Sequence, residues 1–175
     1  MHIGQILKAD TANGPGIRLS VFVSGCTNQC KGCFQPQTWD FNYGQKYDSD
    51  MEDFIIAELS KDYYHGITIL GGEPFEPENQ KEVLNLIKRV KNELPAKDIW
   101  IYSGCVYDVE LMPGGRRYTD FTDAILDNTD ILVDGRFIEE QKNITLTFRG
   151  SENQRIIDMK ETRKTGEVIL DSRFC

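Results

Sequence analysis

Histidine is scarce: His2 and His65 are the only two in the 175-residue chain. Neither stands at a spacing that would complete a mixed cysteine–histidine zinc site. Long hydrophobic runs are also missing, and the apolar stretches have the length of strands, so no membrane span is predicted. The N-terminus lacks a basic-then-apolar leader pattern, and the expected location is cytoplasmic. Basic residues are outnumbered: 20 Lys plus Arg against 28 Asp plus Glu leave a net charge of −8, which disfavours nonspecific nucleic-acid binding. No internal repeat or low-complexity tract occurs. Asn143-Ile-Thr145 fits a glycosylation sequon, which in a cytoplasmic protein is a chance match.

What the chain does have is a cluster of thiols. Cys26-Thr-Asn-Gln-Cys30-Lys-Gly-Cys33 puts three of the five cysteines within eight residues, just after the apolar strand-like run Leu19–Val23. With no export signal, this pattern argues for a reducing compartment rather than a disulfide framework. The three are too close for independent core positions and cannot all pair with one another, so they read as a metal site. A closed zinc site wants four ligands, and a cubane iron–sulfur cluster is normally held by four cysteines. Cys105 and Cys175 stand alone and give no matching fourth. A cubane on three thiolates would leave one iron open to a substrate. A zinc loop completed by Cys105, or a plain electron carrier, are the other readings.

Around the cluster, strand and helix patterns alternate. Residues 2–12 read as an edge strand and residues 34–47 as a loop. Ser49-Asp-Met-Glu52 is a capping-box pattern opening a helix with Met51, Phe54, Ile55 and Leu59 on one face. Gly66–Leu70 reads as a buried strand. A helix over 78–94 carries the stripe Val83, Leu84, Ile87, Val90 and Leu94. A third strand covers 97–102, and 106–118, with Pro113-Gly-Gly-Arg-Arg117, reads as a flexible basic surface connection. A short helix at 121–126, a strand at 129–134, an alternating strand at 144–148 and a polar loop at 149–158 follow. Residues 1–158 form the expected domain, and 159–175 a charged C-terminal tail with one strand-like run.

Several motifs sit at strand ends, where α/β sheets bind ligands. Gly71-Gly72-Glu73-Pro74 offers backbone with no side chain in the way. Ser103 closes the third strand on a polar note. Asp134 ends a buried strand and needs a partner there: a ribose hydroxyl, a backbone amide or a cation. Asn13-Gly-Pro-Gly-Ile-Arg18 is a preset turn ahead of the cysteines, with Arg18 as a surface ion-pair residue or a site cation.

The Cys-x3-Cys-x2-Cys spacing followed by Gly-Gly-Glu-Pro resembles the radical S-adenosylmethionine enzymes. Within them, Asn13-Gly-Pro-Gly-x-Arg18, Cys30-x-Gly32-Cys33-Phe34 and Arg149-Gly-Ser-x-Asn-Gln-Arg155 resemble the activases of anaerobic ribonucleotide reductases. The resemblance covers about residues 1–158. Activases of other glycyl-radical enzymes, such as pyruvate formate-lyase, usually have an aromatic residue where Gly32 stands.

This resemblance implies an α/β fold: a partial (β/α) barrel of the radical S-adenosylmethionine type, mostly parallel strands with flanking helices. It implies a [4Fe-4S] cluster on Cys26, Cys30 and Cys33, whose open iron chelates S-adenosylmethionine. The Gly71, Gly72, Glu73 and Pro74 loop would contact the methionine amino group. Gly32, Cys33 and Phe34 would lie by the adenine, with Ser103 and Asp134 at the same mouth. No side chain need act as acid or base: an electron from the cluster releases a 5′-deoxyadenosyl radical, which takes hydrogen from a glycine Cα. The implied partners are the large subunit of anaerobic ribonucleoside-triphosphate reductase and an electron donor such as flavodoxin. Arg149–Arg155 would meet either S-adenosylmethionine or the partner.

Overall fold

A computed structural model describes residues 1–174; Cys175 lies outside the described residues. Its frame is a seven-stranded sheet: β1 (His2–Asp10), β2 (Arg18–Val23), β3 (Gln45–Lys46), β4 (Gly66–Gly71), β5 (Asp98–Tyr102), β6 (Ile131–Asp134) and β7 (Arg155–Asp158), in the order β3-β1-β2-β4-β5-β6-β7. The four central strands β2, β4, β5 and β6 pair in parallel. The outer β3, β1 and β7 pair antiparallel. The α/β class is as expected, with parallel pairing confined to the middle of the sheet.

Parallel neighbours need crossovers, and helices supply them. α1 (Ser49–Leu59) links β2 to β4, α2 (Pro77–Glu93) links β4 to β5, and α3 (Tyr107–Glu110) with α4 (Thr122–Asp127) links β5 to β6. Successive strand side chains point to opposite faces. Leu19, Val21, Val23, Ile67, Ile69, Ile99, Ile101, Leu132 and Ile157 face the helices and form the main core with Ile55, Leu59, Val83, Leu86, Ile87 and Ile125. The alternate residues make the other face. Trp100, Ile131, Val133 and Ile156 cluster there, with Phe148 and Phe174 packed edge-on against Trp100.

Several local readings are corrected. Asp48, not Ser49, caps α1, its carboxylate accepting from the Met51 amide at 3.0 Å. Glu52 instead accepts from the Tyr47 hydroxyl and from Arg89. On α1, Phe54 points outward under Lys8, and Ile56 joins the buried face. Residues 144–148 are turns rather than a strand. Asn143 Oδ1 accepts both the amide and the hydroxyl of Thr145, a local bond that competes with strand pairing, and Ile144 is 90% exposed. The edge beside β6 is taken by β7, inside the stretch read as a polar loop. The tail begins with a helix, α5 (Met159–Thr165), capped by Asp158, with Met159 and Thr162 buried.

Candidate metal centre

The C-terminal ends of the parallel strands open onto a cavity of about 520 Å³. Cys26, Cys30 and Cys33 all line it, as do Phe34, Gly71, Gly72, Glu73 and Ser103. Phe22, Leu70 and Tyr102 rise from the strands, and Phe137, Leu146, Phe148, Arg149, Gly150 and Gln154 form the opposite wall. Gly32, Pro74 and Asp134 are not on the wall. Gly32 sits behind the cysteine turn at φ +72°, where a Cβ would come within 3.1 Å of the Glu139 carboxylate.

The cysteine loop is built against the Gly71–Pro74 loop. The Gly72 amide donates to Val23 O (2.7 Å) and the Glu73 amide to Gly25 O (2.9 Å). A Cβ on Gly72 would lie 2.6 Å from that same Gly25 oxygen, so the glycine is required by the approach of the two backbones.

Glu73 is fully buried and has its acceptor positions filled. Oε1 takes the Phe75 amide (3.0 Å) and the Ser103 hydroxyl (2.8 Å); Oε2 takes the Gly104 amide (2.8 Å) and Asn28 Nδ2 (3.1 Å). It thereby joins the ends of β4 and β5 to the residue two after Cys26. Burial raises the Glu73 carboxyl above its usual range against these bonds.

The connection over 106–118 keeps Pro113, Gly114 and Arg116 at the surface but carries α3 and turns one arginine inward. Arg117 is 6% exposed. Its guanidinium donates to Glu76 and, at 2.6 Å, to the Thr27 hydroxyl. Arg116 Nη2 donates to Asn28 Oδ1 at 2.5 Å. Glu76 accepts from both the amide (2.6 Å) and the hydroxyl (2.9 Å) of Thr27. Sequence reasoning missed Asn28, Glu76, Arg116 and Arg117. The available signal was an arginine pair beside two glycines, which fits a surface turn equally well.

Arg18 is neither a surface residue nor a wall of the cavity. It is fully buried, donates to the Thr68 hydroxyl (2.6 Å) and Ile67 O (2.8 Å), and lies 2.7 Å from Asp98. It fastens the Asn13–Arg18 turn, whose Gly14 and Gly16 have positive φ, to the sheet. Asp134 takes the Tyr107 amide (2.8 Å) and the Arg155 guanidinium (2.9 and 2.5 Å).

The rest of Arg149–Arg155 stitches the opposite wall to itself. Gln154 accepts from the amides of Gly150 and Ser151 and donates to Gly135 O, while Asn153 donates to Arg136 O. Arg149 reaches the carbonyls of Gln154 and Phe174.

Burial and, next, the Glu73 charge push the Cys26 thiol up to about 11. Burial and then Cys33 raise that of Cys30. Metal binding therefore has protons to displace. Among the described residues, no three Cys, His, Asp or Glu side chains converge closely enough to hold a single metal ion. The donor set fits a cubane iron–sulfur cluster, in which each thiolate would bind a different iron: three free cysteines on one cavity wall, with no histidine and no other cysteine among the described residues that line it.

Comparison with known proteins bears on the same residues. A family model described as a 4Fe-4S single cluster domain matches residues 12–157. The anaerobic ribonucleoside-triphosphate reductase-activating protein of Vibrio cholerae serotype O1 is 44% identical over 158 residues, covering 89% of this chain and 97% of the relative. The chain belongs to the family of anaerobic ribonucleoside-triphosphate reductase-activating proteins. Relatives bearing that name from Escherichia coli strain K12 (37% over 156 residues; 88% of this chain, 96% of the relative) and Enterobacteria phage T4 (34% over 159 residues; 89% and 93%) agree. The matched 4Fe-4S domain spans Cys26, Cys30 and Cys33. No helix among the described residues is long and apolar enough to cross a membrane.

Proposed function

We propose that this chain is a radical S-adenosylmethionine activase that generates the glycyl radical of anaerobic ribonucleoside-triphosphate reductase. The observation that carries the reading is the donor set: Cys26, Cys30 and Cys33 share one cavity wall with the Gly71–Glu73 loop, and among the described residues no fourth cysteine or histidine lines it. In this reading the three thiolates hold a [4Fe-4S] cluster and leave one iron for the amino and carboxylate groups of S-adenosylmethionine. When bound, such a cluster would supply one electron to the sulfonium, breaking its C5′–S bond to give methionine and a 5′-deoxyadenosyl radical, which would take a hydrogen atom from a glycine Cα of the reductase to leave 5′-deoxyadenosine and the glycyl radical.

The protein's own residues orient and shelter. The Gly71–Gly72 backbone faces the cavity, and its carbonyls can accept from the amino group of the methionine end. Glu73 has its oxygens engaged by four donors, so it acts by holding the loops together rather than by touching the ligand. Phe34 and Phe137, with ring centres 5.2 Å apart, lie at the rim and limit water access on that side. The sheet is read as a partial (β/α) barrel of the family type, with residues 1–158 as the activase domain. A cytoplasmic location and a flavodoxin-like electron donor complete the reading.

The test mixes anaerobically reconstituted, reduced protein with S-adenosylmethionine and anaerobic ribonucleoside-triphosphate reductase, and looks for a glycyl radical by electron paramagnetic resonance. The radical should appear only with all components present. Its absence, with the cluster loaded, would overturn the reading; its appearance on pyruvate formate-lyase instead would move the function to that class.

A further inference from the structure

Thr27 directly follows Cys26 and is itself exposed, yet its amide and hydroxyl are both taken by buried groups. Glu76 Oε1 accepts from both, and Arg117 donates to the hydroxyl at 2.6 Å while pairing with the other Glu76 oxygen. The hydroxyl thus donates once and accepts once, as its chemistry allows. The next residue repeats the arrangement, Asn28 lying between Glu73 (3.1 Å) and Arg116 (2.5 Å). Two consecutive residues after the first thiol are each gripped by one glutamate and one arginine.

We propose that the buried Glu76–Arg117 pair is a positioning device for Cys26, which through Thr27 sets how firmly the cluster is held. The inference rests on the reading of Cys26, Cys30 and Cys33 as cluster ligands. A buried ion pair is a poor way to gain stability, because desolvation offsets much of the attraction and an apolar pair of similar volume serves as well. An apolar pair cannot fix a backbone amide and a hydroxyl. The guanidinium is also not placed to satisfy itself: Arg117 Nε is buried with no partner. Its position is dictated by Glu76 and Thr27. Groups behind a metal ligand commonly govern its orientation and the metal's retention.

The test compares wild type with Thr27→Val, which removes only the hydroxyl, and with the double variant Glu76→Leu/Arg117→Met, which removes the charges together. Hydrogen exchange of residues 24–33 is read on the apoprotein, iron release to a chelator on the reconstituted protein, and urea unfolding as the folding control. The double variant should unfold near the wild-type midpoint, exchange faster at the Thr27 amide, and release iron about ten- to a hundredfold faster. Thr27→Val should release iron several-fold faster. Release within about twofold of wild type, in either folded variant, overturns the inference. A wild type that takes up no four-iron cluster overturns the functional reading and this inference with it. That outcome is told apart by the unloaded wild type itself.

Discussion

The two ends of the cysteine loop are held in different ways. At the first end, the Ser24 amide donates to His2 O, Gly25 to Thr38 O and Cys26 to Trp39 O, and Asn79 binds Ser24 O from α2. Thr27 and Asn28 are then clamped by Glu76, Glu73 and the two arginines. At the second end, Cys33 and Cys30 share a turn bond of 3.1 Å, and Gln29 has a positive φ of 48°. Contact with the opposite wall runs through surface groups: Lys31 to Glu139 and Glu140, and Phe34, 67% exposed, against Phe137 and Lys142. Removing one partner of a buried pair costs about 3–5 kcal/mol, whereas an exposed pair is worth about 0–1 kcal/mol. The first thiol is therefore delivered in place, and the other two arrive on a lightly held tether.

Breaking the ligand set should have the largest effect. Cys26→Ala, Cys30→Ala and Cys33→Ala should each abolish a normal four-iron cluster, measured as iron and sulfide per chain after anaerobic reconstitution. In the apoproteins the comparison reappears. Cys30→Ala and Cys33→Ala should leave urea stability within about 0.5 kcal/mol of wild type, and Cys26→Ala, at a buried site, should cost more.

Next in size is Glu73→Ala, which strands the Phe75 and Gly104 amides, Ser103 and Asn28 at once. It should cost about 3 kcal/mol in urea unfolding and loosen the first end of the loop. Lys31→Ala, at the second end, should change apoprotein stability by no more than about 0.5 kcal/mol, and less at high salt.

The smallest effect lies far from the loop. The Lys61 ammonium, then Lys8, hold the Glu58 carboxyl down at about 2, against an ordinary value of 4.5. Its contribution is complete above about pH 4.5 and is lost as pH falls through about 2. Glu58→Gln should flatten the acid limb of the stability curve over that window and leave the loop's exchange rates unchanged.

The central strands and the crossover helices were legible because burial on two faces leaves runs such as Gly66–Leu70 and the stripe Val83–Val90 little choice of structure. That the thiols and the Gly71–Glu73 loop meet at one cavity was legible because close backbone approach demands glycine and because thiols so closely spaced must share one loop. What surrounds them was not. Arg117 reads as solvated until the fold brings it against Glu76, forty-one residues away in sequence. Residues 144–148 alternate like a strand, yet the place beside β6 goes to β7 and the Asn143–Thr145 bonds hold them in turns. Asp134 announced that it needed a partner, but only the fold named Arg155. Long-range polar pairing of this sort has no periodicity to betray it.

The most direct test is 5′-deoxyadenosine formation by the reconstituted, chemically reduced protein supplied with S-adenosylmethionine, with no partner present. A cubane with one iron free of protein ligands predicts that the sulfonium is cleaved and the nucleoside appears. A fully loaded, reducible four-iron cluster that leaves S-adenosylmethionine intact would contradict it.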